Sequence, residues 1–558
     1  MKKRVVKSLS FLKVDGKELE NLIETPKDQS FGDYAFPTFV LAKRLKKNPN
    51  EIAKDIAGKI KLDKNFEKVE AVGPYVNFFV NKIKLTSEVI NRVSKEGNKY
   101  GSGKHGKDKV MIEFSQANTH KAFHVGHIRG TSLGESLSRI FEFCGNKVIR
   151  ANYQGDTGMH VAKWIWCYNK YHKKEKLRKD EAWIAKIYVE AIKKLIKNSE
   201  FQEEVDEINR KLESKKDKSL NYLWKETRKL SLDSLERIYH ELNTGFDVHL
   251  FESEVEERGK EIMAGLVKKK IAEISDNATI VNLEKYGLGI LVFLRKDGTV
   301  LYAGKDIALA EKKFNKFKID KSIYVVGDDQ KLYFNQIFKT LELMKFKHSG
   351  KNIYVPFNLV RLPTGKMSSR TGENILYSDF KKEVVDYAVK EIEKRYKLES
   401  IELYDRSLAI AIASIKYSML KQDPDKVIIF DKKKALRFEG NTGPYLLYSY
   451  ARALSILGKA SYKKQKKFKI KEVNEYEKRL VSLLAQFPEV VRHSYINLTP
   501  SLVANYAYQL AQRFSEFYHN CPVIGSEQEQ FRLKLVDSFS QVIKNALWLL
   551  GIPVIPEM

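Results

Sequence analysis

The chain has 558 residues, with 100 Lys and Arg against 71 Asp and Glu, a formal charge of +29, and 43% of its residues are hydrophobic. That composition excludes a disordered tail and leaves enough apolar material for several packed domains, while no apolar run reaches the about 18 residues a membrane-crossing helix needs. The charge fits a polyanionic partner, most simply a nucleic acid, and equally a mere lysine bias of composition.

The start of the chain is basic, but Lys13, Asp15 and Lys17 break its apolar stretch, so no signal peptide is expected. Cys144, Cys167 and Cys521 lie far apart without a CxxC pair. Neither a disulfide framework nor a structural zinc site is expected, and no metal site of protein ligands.

Residues 1–108 read as a small α+β domain. In FVLAKRLKKNPNEIAKDIAGKI, Val40, Leu41, Leu45, Ile52, Ile56 and Ile60 recur at spacings of three and four, which predicts helix, and Pro49 divides it in two. AVGPYVNFFVN is strand-like, and the polar, glycine-rich EGNKYGSGKHGKDK marks a boundary. VMIEF (110–114) is a short apolar strand. LGESLSRIFEFCGN puts Leu133, Leu137, Ile140 and Phe141 on one helical face, with Gly145 as its stop, and KVIRANYQ (147–154) is the next strand. Strand, loop, helix and strand in this order read as a βαβ unit and so as a parallel sheet.

Residues 164–245 are rich in Lys and Glu and helical in pattern, which predicts an inserted helical region. ATIVNL, GILVFL, SIYVVG and NIYVPF, with helices from about 306 and about 331, are expected to complete the sheet. From 401 onward SLAIAIASIKYSML, YLLYSYARALSILG, NYAYQLAQRFSEFYHN and LKLVDSFSQVIKNALWLLG predict an α-helical bundle.

EFSQANTHKAFHVGHIRG, from Glu113 to Gly130, sits where the first strand of the sheet passes to a helix N-terminus, a place that attracts phosphate. His124 and His127 can point the same way across the first turn and donate to phosphoryl oxygens, and Gly126 lets a ring or phosphate approach the backbone. The alternatives are two surface histidines or, more weakly, a zinc pair without a nearby third ligand.

His124-Val125-Gly126-His127 resembles the HIGH signature of class I aminoacyl-tRNA synthetases. GKMSSRTGE, with Lys366, Met367, Ser368, Ser369 and Arg370, resembles their KMSKS signature. GDYAFPTFVLAKRLKKNP, AVGPYVNFFV, ANYQGDTGMHVAKW, RKDGTVLYAGKDIALA, GDDQ, FEGNTGPYLLYSYARA and the ending LLGIPVIPEM resemble arginyl-tRNA synthetases over essentially the whole chain.

The resemblance implies an α/β fold of three domains: an N-terminal α+β tRNA-binding domain (1–108), a Rossmann-like parallel-sheet catalytic domain (109–400) with the helical insertion at about 164–245, and an α-helical anticodon-binding bundle (401–558). It implies attachment of L-arginine to its tRNA through an arginyl-adenylate, with release of AMP and pyrophosphate. ATP is the second substrate, Mg2+ accompanies it, and activation of arginine is expected to need bound tRNA. A cytoplasmic monomer without membrane attachment is expected. By the same resemblance Glu113, Asn118, His124, Tyr302, Asp306 and Gln330 bind arginine. His124, Gly126, His127, Lys366, Met367 and Ser368 bind ATP, and His124, His127, Lys121, Lys366 and Arg370 are catalytic.

By the same resemblance Tyr75 and Asn77, then Tyr445, Tyr448, Tyr518 and Met558, are expected at the tRNA, the tyrosines by stacking on bases. Tyr445 and Tyr448 share a helix face, and core packing is their alternative. Three departures stand out: Ser369 replaces the second lysine of KMSKS, His160 stands where the family often has glutamine, and the chain ends Pro-Glu-Met. Lys121, three residues before His124, is expected to supply the missing cation, with Lys366 contributing. Two rivals remain: a synthetase of the cysteinyl type, disfavoured by the missing cysteine/histidine zinc set, and a silent RNA-binding relative, disfavoured by the intact His124, His127 and Asp306.

Overall fold

The computed structural model describes every residue except 1, 25, 27, 276–277, 295–301, 362, 364–375, 395–396 and 464–467. The whole second signature, Lys366, Met367, Ser368, Ser369 and Arg370, therefore lies outside the described residues. The chain groups into two compact units, one of residues 1–97, 456–485 and 513–539, the other of residues 98–455, 486–512 and 540–558.

In the first unit, β1 (Tyr34–Pro37), β2 (Phe66–Val72) and β3 (Tyr75–Val80) form an antiparallel sheet in the order β1-β3-β2. The run AVGPYVNFFVN is thus a hairpin turn plus one strand, with Gly73 at φ 56°. Pro49 separates helices Phe39–Leu45 and Pro49–Lys59 and also opens the second one, at the position where a missing N–H costs nothing. The side chain of Asn48 caps it, accepting from Asn50 N–H at 2.9 Å. Phe36, Ile52, Ile56, Val76 and Phe78 fill the core between sheet and helices.

The second unit carries the main sheet. It begins with β4 (Lys109–Glu113), β5 (Lys147–Gln154) and β6 (Val248–Phe251). The chain then forms β7 (Glu273–Ser275), β8 (Ala278–Asn282) and β9 (Ile290–Leu294) before β10 (Lys321–Gly327) and β11 (Asn352–Phe357). The order β11-β10-β4-β5-β6 is parallel throughout.

Two expectations change. ATIVNL and GILVFL do not join this sheet; they are β8 and β9 of a separate antiparallel sheet with β7. The link between them is shorter than the dozen or so residues a parallel crossover needs. The place at the sheet edge goes to β6, whose four residues give too short an apolar run to register as a strand.

Helix Val125–Phe143 starts directly after His124, a full two turns before Leu133, and ends at Cys144 with Gly145 at φ 98°. Its Arg129 is buried and donates to the carbonyls of Asn358 (2.6 Å), Asp423 (3.2 Å) and Pro424 (3.0 Å). The insertion is helical, with Met159–Cys167, Glu181–Lys197, Phe201–Ser214 and Lys218–Glu241 packed around Trp164, Trp183, Ile187 and Val205. Long helices follow from Ser400–Leu420 to Glu529–Leu549. Among the described residues no helix is long and apolar enough to cross a membrane.

Candidate active site

Strand register decides which side chains meet at the C-terminal edge of the sheet. Glu113 pairs with Ala151 on one side and Tyr324 on the other, and Tyr153 pairs with Leu250. Side chains alternate along a strand, so Met111, Glu113, Ala151, Tyr153 and Leu250 share one face. Helix Tyr302–Phe317 covers that face with Ala303, Ile307, Ala310 and Phe314.

Charge gathers where helix and strand ends meet. Buried Glu113 lies 2.5 Å from Nζ of Lys313, which is fully buried on the helix and stands 3.8 Å over the Tyr324 ring. Burial pulls the Lys313 ammonium toward neutrality, but Glu113, Tyr324 and Asp306 together outweigh it and hold its pKa above the usual lysine value. Asp306 is two turns earlier on the same helix. Burial pushes its pKa up to about 7, against a hydrogen bond donated by the Tyr333 hydroxyl and with the charges of Glu113 and Glu252 adding to the rise. Glu252, directly after β6, is buried and lies 3.1 Å from Nζ of Lys305. Burial raises its pKa and Lys305 opposes the rise. Among the described residues, the three carboxylates thus converge with two paired lysines, Lys305 on Glu252 and Lys313 on Glu113.

The neighbouring turn into helix Val125–Phe143 is built by a strained loop. Ser115 (φ 76°), Gln116 (φ 47°) and His120 (φ 60°) all adopt the left-handed region, which non-glycine residues seldom do. Hydrogen bonds hold it: Ser115 Oγ to Tyr239 Oη at 3.0 Å, and His120 N–H to Ser231 Oγ at 2.9 Å. The His120 ring lies between Thr119 (3.0 Å) and Thr227 (2.9 Å), and burial brings its pKa down to about 3.

At the helix start, His124 N–H donates to His127 Nδ1 at 3.1 Å and the two rings stack at 3.9 Å. That bond leaves Nε2 of neutral His127 as its N–H. Burial, then the Lys121 charge, brings His124 down to about 4, and burial, then His124 and Lys121, takes His127 well below the usual histidine value. Both are neutral N–H donors at physiological pH. A Cβ on Gly126 would stand 3.0 Å from the His124 ring. The Lys121 ammonium lies 5.5 Å from the Tyr188 ring centroid and makes no ion pair among the described residues. Burial lowers its pKa, with Glu252 opposing.

The other expected residues scatter around this centre. Asn118 Oδ1 accepts from Gly155 N–H at 3.1 Å, and Gly155 is packed so closely there that a Cβ would stand 2.5 Å from that oxygen. His160 lies 3.3 Å from the Gly155 carbonyl. Tyr302 is one turn before Asp306 but 65% exposed, and Gln330 is exposed after β10.

In the first unit Tyr75 packs edge-on against Phe39, Asn77 is 2% exposed, and Tyr518 is 40% exposed. In the second unit Tyr445 Oη reaches the Ala511 carbonyl at 3.4 Å, Tyr448 stacks under Arg452 at 4.5 Å, and Met558 is partly buried. In the insertion, ligand atoms of Cys167, His172 and Glu190 come within 4.8 Å of one another, but Glu175 (2.7 Å) and Glu190 (3.1 Å) already engage both His172 nitrogens. The sequence reading missed Glu252, Lys305, Lys313, Tyr153 and Tyr333; the one sequence signal was the acidic FESE that follows β6.

Three family models match the chain in order: Arginyl tRNA synthetase N terminal domain at residues 1–80, tRNA synthetases class I (R), catalytic domain, at 89–431, and DALR anticodon binding domain at 446–558. An arginine–tRNA ligase of Clostridium perfringens is 39% identical over 552 residues, 97% of this chain and 96% of that protein. One of Clostridium acetobutylicum is 37% identical over 551 residues, 98% and 97%. In fold, the chain is similar to the arginyl-tRNA synthetase of Thermus thermophilus (TM-score 0.82, 24% identity, 100% of this chain and 99% of that). That of Plasmodium falciparum gives a TM-score of 0.79 at 22% identity, over 100% and 98%. The chain belongs to the arginyl-tRNA synthetase family of class I enzymes, which use ATP to join arginine to tRNA.

Proposed function

We propose that the chain activates arginine where Glu113, Glu252 and Asp306 converge, beside an ATP site at the helix that starts after His124. The observation that carries this reading is the charge among the described residues: three buried carboxylates, with Lys305 and Lys313 paired to two of them, leave room for one planar cation. Asn118 holds the loop beside it through Gly155, and Tyr302 and Gln330 flank the entrance, where the arginine backbone would lie.

An arginine carboxylate oxygen attacks the α-phosphorus in line, the bond to the bridging oxygen breaks, and pyrophosphate leaves. A ribose hydroxyl of the tRNA 3′ adenosine then attacks the adenylate carbonyl, its proton is lost, and AMP leaves. The enzyme contributes position and charge stabilisation, with no covalent intermediate. Neutral His124 and His127 donate N–H groups to phosphoryl oxygens, and Gly126 lets the nucleotide approach. Lys121 supplies the point charge that Ser369 cannot, and Lys366, Met367, Ser368 and Arg370 act on the ATP tail from the second signature. The groups facing this turn are donors and a cation rather than a cage of carboxylates, so magnesium enters on ATP and, when bound, adds Lewis-acid charge at the phosphates.

The functional segments are 1–108 for tRNA binding, 109–400 for catalysis with an insertion at about 164–245, and 401–558 for the anticodon. Tyr75 with Asn77 beside it, and Tyr445, Tyr448, Tyr518 and Met558, are the proposed RNA contacts. A cytoplasmic monomer is the proposed working form, and three buried, unbridged cysteines support a reducing compartment. The test is amino-acid-dependent ATP–pyrophosphate exchange with each of the common amino acids, with and without tRNA. Exchange should require arginine and tRNA together. Exchange driven by another amino acid, or by none, overturns the reading.

A further inference from the structure

Tyr153 stands on β5, two residues beyond Ala151, the register partner of Glu113. It therefore points from the same face of the sheet as Glu113, toward helix Tyr302–Phe317, and its ring packs on the apolar core under that helix. Its hydroxyl is buried and has no hydrogen-bond partner among the described residues. The three carboxylates around it differ in this respect: Glu113 holds Lys313, Glu252 holds Lys305, and Asp306 accepts from Tyr333. Burial, then the charges of Asp306, Glu252 and Glu113, keeps the phenol protonated far above neutral pH.

A buried unmatched hydroxyl is unfavourable, and one placed beside a cluster of charges calls for a partner. The carboxylates attract any cation of suitable length, lysine and ornithine included. A guanidinium differs from an ammonium in shape: it is planar, with five N–H donors in fixed directions and no acceptor. Reading that plane takes a neutral acceptor held at a fixed angle, which a strand-borne phenol supplies.

We propose that Tyr153 Oη accepts an N–H of the arginine guanidinium and is a specificity-determining residue that selects guanidinium over ammonium side chains. This rests on the placement of arginine at Glu113, Glu252 and Asp306.

The test is Tyr153→Phe, with Asp306→Asn beside it, in tRNA-supported pyrophosphate exchange. No group among the described residues pairs with this hydroxyl, so its removal leaves none of them widowed and Tm should hold or rise. The arginine KM of Tyr153→Phe should rise roughly 10- to 100-fold, the loss of one hydrogen bond to a charged group. ATP KM should stay unchanged, and the preference for arginine over lysine should narrow. If Asp306→Asn loses arginine affinity while Tyr153→Phe keeps the wild-type KM and discrimination, the proposal is overturned and the pocket stands. If both variants keep wild-type arginine KM, the pocket itself is misplaced. A large fall of Tm in Tyr153→Phe makes the hydroxyl structural and overturns the proposal as well.

Discussion

Asp306 carries a proton near neutrality because burial and two neighbouring carboxylates disfavour its charge, and its pKa sits at about 7. A bound guanidinium requires the ionised form, so arginine binding must expel that proton at lower pH. Apparent arginine KM should therefore rise about tenfold from pH 8 to pH 6, measured at saturating ATP and tRNA, and Asp306→Asn should lose that slope. For stability the sign reverses. The folded pKa lies above the ordinary 3.8, the native state binds the proton more tightly between the two values, and this group's contribution to stability falls as pH rises through that window. Lys121→Ala should reduce the exchange rate by about 10²–10³, the scale of one charge that stabilises the transition state, and Ser369→Lys should restore part of it. A wild-type rate in Lys121→Ala would assign the missing charge elsewhere. The histidines, Glu113 and Asp306 were legible because each sits in a contiguous motif. Glu252, Lys313 and Tyr153 were not, because only the pairing of β4, β5 and β6 and the packing of helix Tyr302–Phe317 bring them to Glu113 or Asp306.

Helix Val125–Phe143 shows how elements constrain the site. It packs so closely on the strand before it that a Cβ on Gly134 would meet Phe114 side-chain atoms at 2.0–2.6 Å. Gly134→Ala should cost about 1–3 kcal/mol through forced repacking, seen as a lower Tm in calorimetry. Gly58, in helix Pro49–Lys59, would place a Cβ with nothing within 4 Å among the described residues, and Gly58→Ala should instead stabilise by about 0.4–1 kcal/mol. Equal effects at the two positions would contradict the packing described. The glycines also explain why the helix start escaped the sequence pattern: VGHIRGTS is glycine-rich and thinly apolar, and the start is held by its own burial within the protein. KVIRANYQ was legible as β5 to the residue. ATIVNL and GILVFL were legible as strands but not in their partners, since an apolar run states that a strand exists and the length of its connection states what it can pair with.

Over the whole molecule, the net charge of +29 and the three family segments describe an enzyme that holds a large polyanion. Affinity for tRNA should fall with salt by roughly 0.7–0.9 log units per log unit of salt for each phosphate contact. A flat dependence would reduce the charge to compositional bias. The central claim is that the converging carboxylates at the edge of the parallel sheet are the arginine pocket. Its most direct test is the pair of KM values, for arginine and for ATP, of Asp306→Asn in tRNA-supported pyrophosphate exchange. Removing one buried charge facing a guanidinium should raise arginine KM by about 2 kcal/mol or more, roughly 30-fold, with ATP KM unchanged. An arginine KM equal to that of the unaltered enzyme would contradict it.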